Sequence, residues 1–362
     1  MSQTHRVVSY NLLSSNLASE SHFVTCTKNQ LASRLRGPRL LAKLDAEIAA
    51  QPTLFCLQEL SQTWGSDLHT HLANKGYHLV TAFYGQRHNG HMGVAIAFPT
   101  EHYELKSTVI RTIAETRDLY KAPEPTLVAR VVAVVALVFA WFASFVVARK
   151  YAVRDPYEYA MARENVAVAV QLACKRSQKT FWVATYHMPC AFMYPQMMTV
   201  HSSLVLQFVA KQAGAQPFVL AGDFNWSPKH EQYKLYTAGT LAESSAARPP
   251  PPGPIAQNWS IDVPPVRSAY AECGGEPAFT NWAQIKSEPV FKETLDYIWL
   301  SKHWRVDDVL RHQPTVGPLP TESDPSDHLL IAATLALIEH AKREAKDDKK
   351  VKSKDPSRKK SD

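Results

Sequence analysis

The sequence is poor in cysteine, and the cysteine it has is unpaired. Cys26, Cys56, Cys174, Cys190 and Cys273 show no paired spacing and are odd in number, which gives no support for a disulfide framework or a thiolate metal finger. The N-terminus lacks the charged-then-apolar order of a secretory signal. A reducing compartment, cytosol or nucleus, is therefore the expectation. Cys56 lies in an apolar run and reads as a small core residue; none of the five asks for a catalytic role. A strong charge of one sign is also missing. The net charge is +7, but residues 341–362 hold ten Lys and Arg against five Asp and Glu, so most of the excess sits in that segment and the body has no global basic field. Apart from Val351 and its alanines this segment has no apolar residue, and it is expected to form a disordered tail. A solubilising terminus, RNA contact and nuclear import all stay open for it.

What is present is a series of short apolar runs bounded by turn residues: Val7–Leu13, Leu54–Leu57, Val94–Phe98, Val166–Leu172, Phe181–Tyr186, Phe218–Ala221, Leu295–Leu300 and Leu329–Leu337. Rich in Val, Ile, Phe and Trp, many have the length of a buried strand. Gln30–Ala49 and Met197–Gln212 instead repeat apolar residues every three or four positions, as helices do. Strands buried between helices predict a layered α/β fold. Four consecutive prolines within Arg248–Pro254 predict a stiff surface loop. Val131–Ala148 has no charged residue and a single polar one, Ser144, and by length alone it qualifies as a membrane span.

The chemistry lies where polar residues end or interrupt the apolar runs. Val7 to Asn11 ends on an amide, Leu54 to Glu59 on a carboxylate and Phe181 to His187 on an imidazole. Phe218 to Gly222 leads into Asp223-Phe224-Asn225; Asp296 stands inside Thr294–Trp299; Asp327-His328 precedes the last run. Any one of these reads as a cap or a satisfied buried group. Together Asn11, Glu59, His187, Asp223, Asn225, Asp296, Asp327 and His328 form a set rich in hard oxygen ligands and free of thiolates, which favours Mg²⁺, with Mn²⁺ as its substitute, over structural zinc. Such an ion polarises a phosphoryl group, a rigidly held aspartate activates water, and a carboxylate-steadied histidine meets the charge that develops on phosphate. These are the parts of phosphodiester hydrolysis.

The order Tyr-Asn, Leu-Gln-Glu, Thr-Tyr-His, Gly-Asp-Phe-Asn, Leu-Asp-Tyr-Ile and Ser-Asp-His resembles the endonuclease/exonuclease/phosphatase superfamily from Arg6 to about Glu339. The resemblance implies a four-layer α/β sandwich, two mixed β-sheets packed face to face with helices outside, and a site at one sheet edge. It implies Glu59 as the principal metal ligand with Asn11 beside it, Asp223 as the residue that activates water next to Asn225, and His187 and His328 at the scissile phosphate. Asp296 and Asp327 would orient a histidine or complete the metal site; the sequence does not say which acid does which, and Asp327 is grouped with the metal ligands. The domain is expected over residues 1–340, interrupted by a hydrophobic insertion at about 123–155.

Phe279-Thr280-Asn281-Trp282, Pro318-Leu319-Pro320 and Pro325-Ser326-Asp327-His328 resemble the deadenylase-like branch, which implies RNA as the partner and exonuclease action at its 3′ end. Phe291, five residues before the strand aspartate, matches an aromatic that stacks on a base in that branch, with core filling as the alternative; Asn281 joins it as a substrate contact. Arg87, in the loop Gln86–His91, offers a cation to phosphate or sits in a plain solvated hairpin. The stretch Met188–Pro195 departs from the branch, which puts a poly(A) preference in question, and no leucine-rich-repeat docking module precedes the domain.

A single membrane crossing by Val131–Ala148 would separate Asn11 and Glu59 from the other site residues, so this segment is expected to be a peripheral helix. Ala129, Ala133, Ala136, Ala140 and Ala143 would pack it, and its remaining surface would meet a membrane interface, a partner helix or the domain's own loops. Two further functions stay open. One is a membrane-associated lipid phosphodiesterase of sphingomyelinase type; the other is a non-catalytic RNA-binding or scaffold protein, whose mark would be loss of Glu59, Asp223 or His328.

Overall fold

A computed structural model of the chain describes residues 3–120, 155–312 and 317–338. The apolar runs become strands of two six-stranded sheets. The first sheet has the order β13-β14-β1-β2-β4-β3. It is built from β1 (Thr4–Asn11), β2 (Thr53–Leu60), β3 (Tyr77–Phe83), β4 (Gly93–Pro99), β13 (Trp304–Val309) and β14 (Ile331–Leu337). The second has the order β5-β6-β7-β8-β12-β9, from β5 (Tyr103–Thr112), β6 (Val166–Cys174), β7 (Thr180–His187), β8 (Phe218–Asp223), β9 (Arg267–Ser268) and β12 (Asp296–Leu300). A small ribbon pairs β10 (Asn281–Ala283) with β11 (Phe291–Glu293).

Alternate side chains of each central strand feed different layers, because successive residues of a strand face opposite ways. Val7, Leu54, Cys56 and Ile96 of the first sheet meet Val168, Val170, Val183, Val219 and Ile298 of the second between the sheets. Val8, Tyr10, Phe55 and Leu57 point outward onto Leu40, Leu44, Leu68 and Leu72, carried by the helices Ser33–Ala50 and Gln62–Asn74. Ala184, Tyr186, Leu220, Tyr297 and Trp299 point the other way onto Met198, Leu204 and Val205 of the helix Pro195–Ala213. Strands covered on both faces read as continuous apolar runs rather than alternating ones. The result is the four-layer sandwich, helix, sheet, sheet, helix.

The central strands end where the sequence places them to within a few residues. The helix expected over Gln30–Ala49 is divided, with a short turn at Lys28–Leu31 and the main helix starting at Ser33. The edge strands β3, β5 and β13 went unread, because they are only half covered: β5 alternates exposed and shielded positions along most of its length. The hydrophobic segment 131–148 and the tail 341–362 fall outside the described residues. Among the described residues, no helix is long and apolar enough to cross a membrane.

Candidate active site

The two sheets bring the C-terminal ends of β1, β2, β7 and β8 to one edge. β7 and β8 run parallel with His187 opposite Asp223, and β12 runs antiparallel to β8 with Asp296 opposite Asp223. The register therefore lines up His187, Asp223 and Asp296 across three neighbouring strands. Gly222 permits the approach: a Cβ there would lie 1.9 Å from the carbonyl oxygen of Tyr186, so only glycine lets the strands pair at this point. Glu59 and Asn225 both take a left-handed backbone, at φ 53° in each case, and such strain in non-glycine residues collects at functional sites.

Asp223 is the hub. Its Oδ2 accepts from Asn11 Nδ2 at 3.0 Å and faces Nε2 of His187 at 3.5 Å and Nε2 of His328 at 3.6 Å. Its Oδ1 accepts from the backbone N–H of Asn225 at 2.9 Å, whose side chain donates to the Met188 carbonyl at 2.8 Å. Asn11 donates as well to Glu59 Oε1 at 3.0 Å, while Glu59 Oε2 accepts from the Ser14 N–H at 3.0 Å. His187 Nε2 stands 3.9 Å from Glu59 Oε1.

The two acids that the sequence left undivided separate here by their partners. Asp296 Oδ2 lies 2.7 Å from His328 Nδ1, and its backbone N–H donates to Thr280 Oγ1 at 3.1 Å. Asp327 instead accepts from Asn281 Nδ2 at 3.2 Å. Burial opposes an imidazolium at His328, but Asp296, Asp223 and Asp327 together raise it well above the usual histidine value. Burial likewise raises the carboxyl of Asp223, with Asp296 adding to the rise and both histidines opposing it. Asp327 is raised by burial and by Glu59, against the pull of His328.

This donor set fits a hard divalent cation. Glu59, His187 and Asp223 present ligand atoms within 4.8 Å of one another, as do Asp223, Asp296 and His328. Asp327 Oδ1 and Asp296 Oδ1 are buried without a hydrogen-bond partner, and a buried carboxylate oxygen left unpaired is costly unless a cation or water meets it. Asp327 stands outside both clusters, and its carboxyl feels the repulsion of Glu59.

Of the substrate contacts expected from sequence, Asn281 lies beside Asp327 and bridges His328 through its backbone. Phe291 pairs with Ala283 across the ribbon and shares the Asn281 face by alternation. It is 41% exposed, which removes the core-filling alternative. Arg87 is exposed on a turn whose carbonyl accepts from Asn16 at 3.1 Å; the neighbouring Asn89 carbonyl accepts from Ser14 Oγ at 2.7 Å, so the loop is tied to the site wall. Sequence reading missed Tyr84, whose hydroxyl lies 3.0 Å from His187 Nδ1. Burial of that hydroxyl, with Glu59 and Asp223 nearby, holds it well above the usual phenol range. Asn165, which donates to the His187 carbonyl at 2.8 Å, was missed too. Neither stands in a run of chemical residues, and only the pairing of strands brings them in.

Fold and site together define an α/β sandwich with an acid and imidazole cluster at its sheet edge. The chain belongs to the Endonuclease/Exonuclease/phosphatase family, whose sequence pattern matches residues 8–328. Within the family its relatives lie in the deadenylase-like branch. Human Nocturnin is 24% identical over 351 residues, 93% of this chain and 66% of that protein, so the chain spans just under two thirds of this relative's length. The CCR4-Not complex 3′-5′-exoribonuclease subunit Ccr4 of Saccharomyces cerevisiae is 25% identical over 208 residues, 51% of this chain and 23% of that protein. Among solved structures, ANGEL2, a 2′,3′-cyclic phosphatase, superposes with a TM-score of 0.67 at 21% identity, covering 93% of this chain and 96% of that one. The human Nocturnin catalytic domain gives 0.59 at 21%, covering 92% and 94%.

Proposed function

We propose that the chain is a Mg²⁺-dependent phosphodiesterase, with Mn²⁺ able to substitute, that removes nucleotides from the 3′ end of RNA as a deadenylase-like 3′-5′ exoribonuclease. The observation that carries this reading is the convergence of one amide and two imidazoles on Oδ2 of Asp223, at 3.0, 3.5 and 3.6 Å. A carboxylate so surrounded is fixed in direction and sits next to the groups that meet phosphate. The RNA substrate class is supported by relatives that include a 3′-5′-exoribonuclease.

In this reading Glu59 would be the principal ligand of the cation, its carboxylate fixed by Asn11, and Asp327, which lies outside the ligand clusters but has a buried oxygen without a partner, would complete the site. A cation held there would polarise the phosphoryl group and stabilise charge on the leaving oxygen. Asp223 accepts the proton of the attacking water, and Asn225 holds its other oxygen in place. His328, kept protonated by Asp296, donates to a phosphate oxygen where negative charge grows. His187, held from behind by Tyr84, does so from the other side. Phe291 and Asn281 receive the terminal nucleotide, base stacking on an exposed ring contributing about 1–3 kcal/mol.

The test is Mg²⁺-dependent turnover of a 5′-labelled RNA with varied 3′ ends. A cyclic 2′,3′-phosphate terminus and sphingomyelin vesicles serve as competing substrates. Stepwise shortening from the 3′ end that stops in chelator is the expected result. Turnover of only the cyclic terminus or only the lipid would replace the RNA reading, and no turnover of any would remove the catalytic one.

A further inference from the structure

The helix Ser33–Ala50 buries Arg36, Leu40 and Leu44, three residues at four-residue spacing on the stripe that faces the first sheet. An arginine here takes the place of an apolar residue, and it is fully buried. Its guanidinium spends its bonds on backbone carbonyls of two separate segments. Nη2 donates to Leu12 and Leu13, each at 2.6 Å, and Nε donates to Pro325 at 2.6 Å. Trp64 covers it, with the guanidinium carbon 5.1 Å from the ring centre.

Both segments lead directly into the carboxylates of the site. Leu13 is left-handed, at φ 52°. Its turn is closed by a bond from its N–H to Asn11 Oδ1 at 2.9 Å, and the next residue, Ser14, donates to Glu59. Pro325 precedes Ser326, whose hydroxyl donates to the Asn11 carbonyl at 2.7 Å, and then Asp327. The remaining nitrogen, Nη1, is buried and has no hydrogen-bond partner, as are Tyr10 Oη and Asp327 Oδ1. Burial disfavours the guanidinium charge, while Asp327, Tyr10 and Glu59 act against burial through space; among the described residues no carboxylate is hydrogen-bonded to Arg36.

We propose that Arg36 is the positioning residue of the divalent-cation site, tying the turn at 12–14 and the segment 325–327 to one guanidinium so that Glu59 and Asp327 are held ready for the ion. The inference rests on the metal-dependent reading above. Only arginine has the rigid fork that satisfies both segments at once. Lysine keeps the charge but cannot span them, and methionine loses both charge and bonds.

The experiment measures Mn²⁺ binding to the substrate-free full chain by titration calorimetry, beside the Mg²⁺ dependence of RNA hydrolysis, for wild type, Arg36→Lys and Arg36→Met. Groups that orient metal ligands typically change metal affinity by about 10- to 100-fold when removed. A loss of that size is expected for Met and a smaller one for Lys, while KM for RNA at saturating Mg²⁺ stays near the wild-type value. Lowered thermal stability with unchanged Mn²⁺ affinity would reduce Arg36 to a structural residue and overturn the proposal. If neither variant folds, Ser326→Ala releases the same segment from Asn11, and the His328 N–H from the hydroxyl, without touching the buried charge; weaker Mn²⁺ binding then supports the clamp, and unchanged binding overturns it. Wild type that binds no Mn²⁺ would overturn the proposed function as well, an outcome distinct from variants that bind as wild type does.

Discussion

His201 and His328 are both removed from water, yet burial leaves them in opposite charge states. His201, in the middle of the outer helix, shares a hydrogen bond of 2.9 Å with the Tyr186 hydroxyl and another of 2.9 Å with the Ala160 carbonyl. Burial lowers it to about 4, so it is a neutral packing residue. His328 meets burial too, but its Nδ1 rests on Asp296 and two further acids face it, so the imidazolium survives. His5, at the opposite end of β1 from the site, follows the first pattern, with Tyr103 at 2.9 Å and a value lowered to about 4 by burial first and Lys179 second. His187 has a partner of each kind, a phenol on Nδ1 and carboxylates near Nε2. A histidine's place in the core thus says little about its chemistry; the atom bonded to the ring decides it.

The largest expected effect comes from neutralising the partner that sets His328 apart. Asp296→Asn should lower the single-turnover rate by roughly 10³-fold or more, as loss of a histidine-orienting carboxylate does elsewhere. A loss below tenfold would mean that His328 needs no charged partner, and the contrast with His201 would carry no catalytic weight. Asp223→Ala and His328→Ala should each cost on the order of 10³-fold, with the double variant scarcely worse, because residues acting as a unit are not additive. Multiplying losses in the double variant would show that the two act separately.

The neutral histidines should appear in stability instead. Their folded value of about 4 lies below the ordinary histidine value of 6.5, so above pH 6.5 neither the folded nor the unfolded chain binds the proton and the full stability is present. As pH falls from 6.5 toward 4, the unfolded chain takes up protons that the folded one refuses, and stability drops by about 3 kcal/mol for each histidine. Urea titrations at pH 7.5, 5.5 and 4.5 measure this drop, and His201→Leu should flatten it. An equally steep curve in that variant would assign the loss to other groups.

The smallest effect is expected at His187, where the two kinds of partner meet. Tyr84→Phe removes one hydrogen bond from His187 and should slow hydrolysis about tenfold or less, the worth of a single neutral hydrogen bond, without changing half-saturation by Mg²⁺. A loss as large as that of Asp296→Asn would place the phenol on a par with the carboxylate and erase the distinction.

Local pattern alone determined the central strands, two of the helices that cover them, at Ser33–Ala50 and Pro195–Ala213, and eight polar residues at or near the strand ends; the helix Gln62–Asn74 was not read. Apolar runs and their periods are short-range signals, and a carboxylate that ends such a run stands out without any knowledge of its neighbours. Asn11, Glu59, His187, Asp223 and His328 were legible for that reason. Tyr84 and Arg36 were not, since one follows the half-covered edge strand β3 and the other occupies a leucine-like position on an ordinary amphipathic helix. The division of labour between Asp296 and Asp327 also waited for tertiary structure. Sequence spacing places each acid on its own element but does not encode that β12 lies beside β8, in the register that sets Asp296 opposite Asp223. That neighbourhood comes from long-range pairing of strands buried on both faces, and it alone brings the Asp296 oxygen to 2.7 Å from His328 and leaves Asp327 to Asn281.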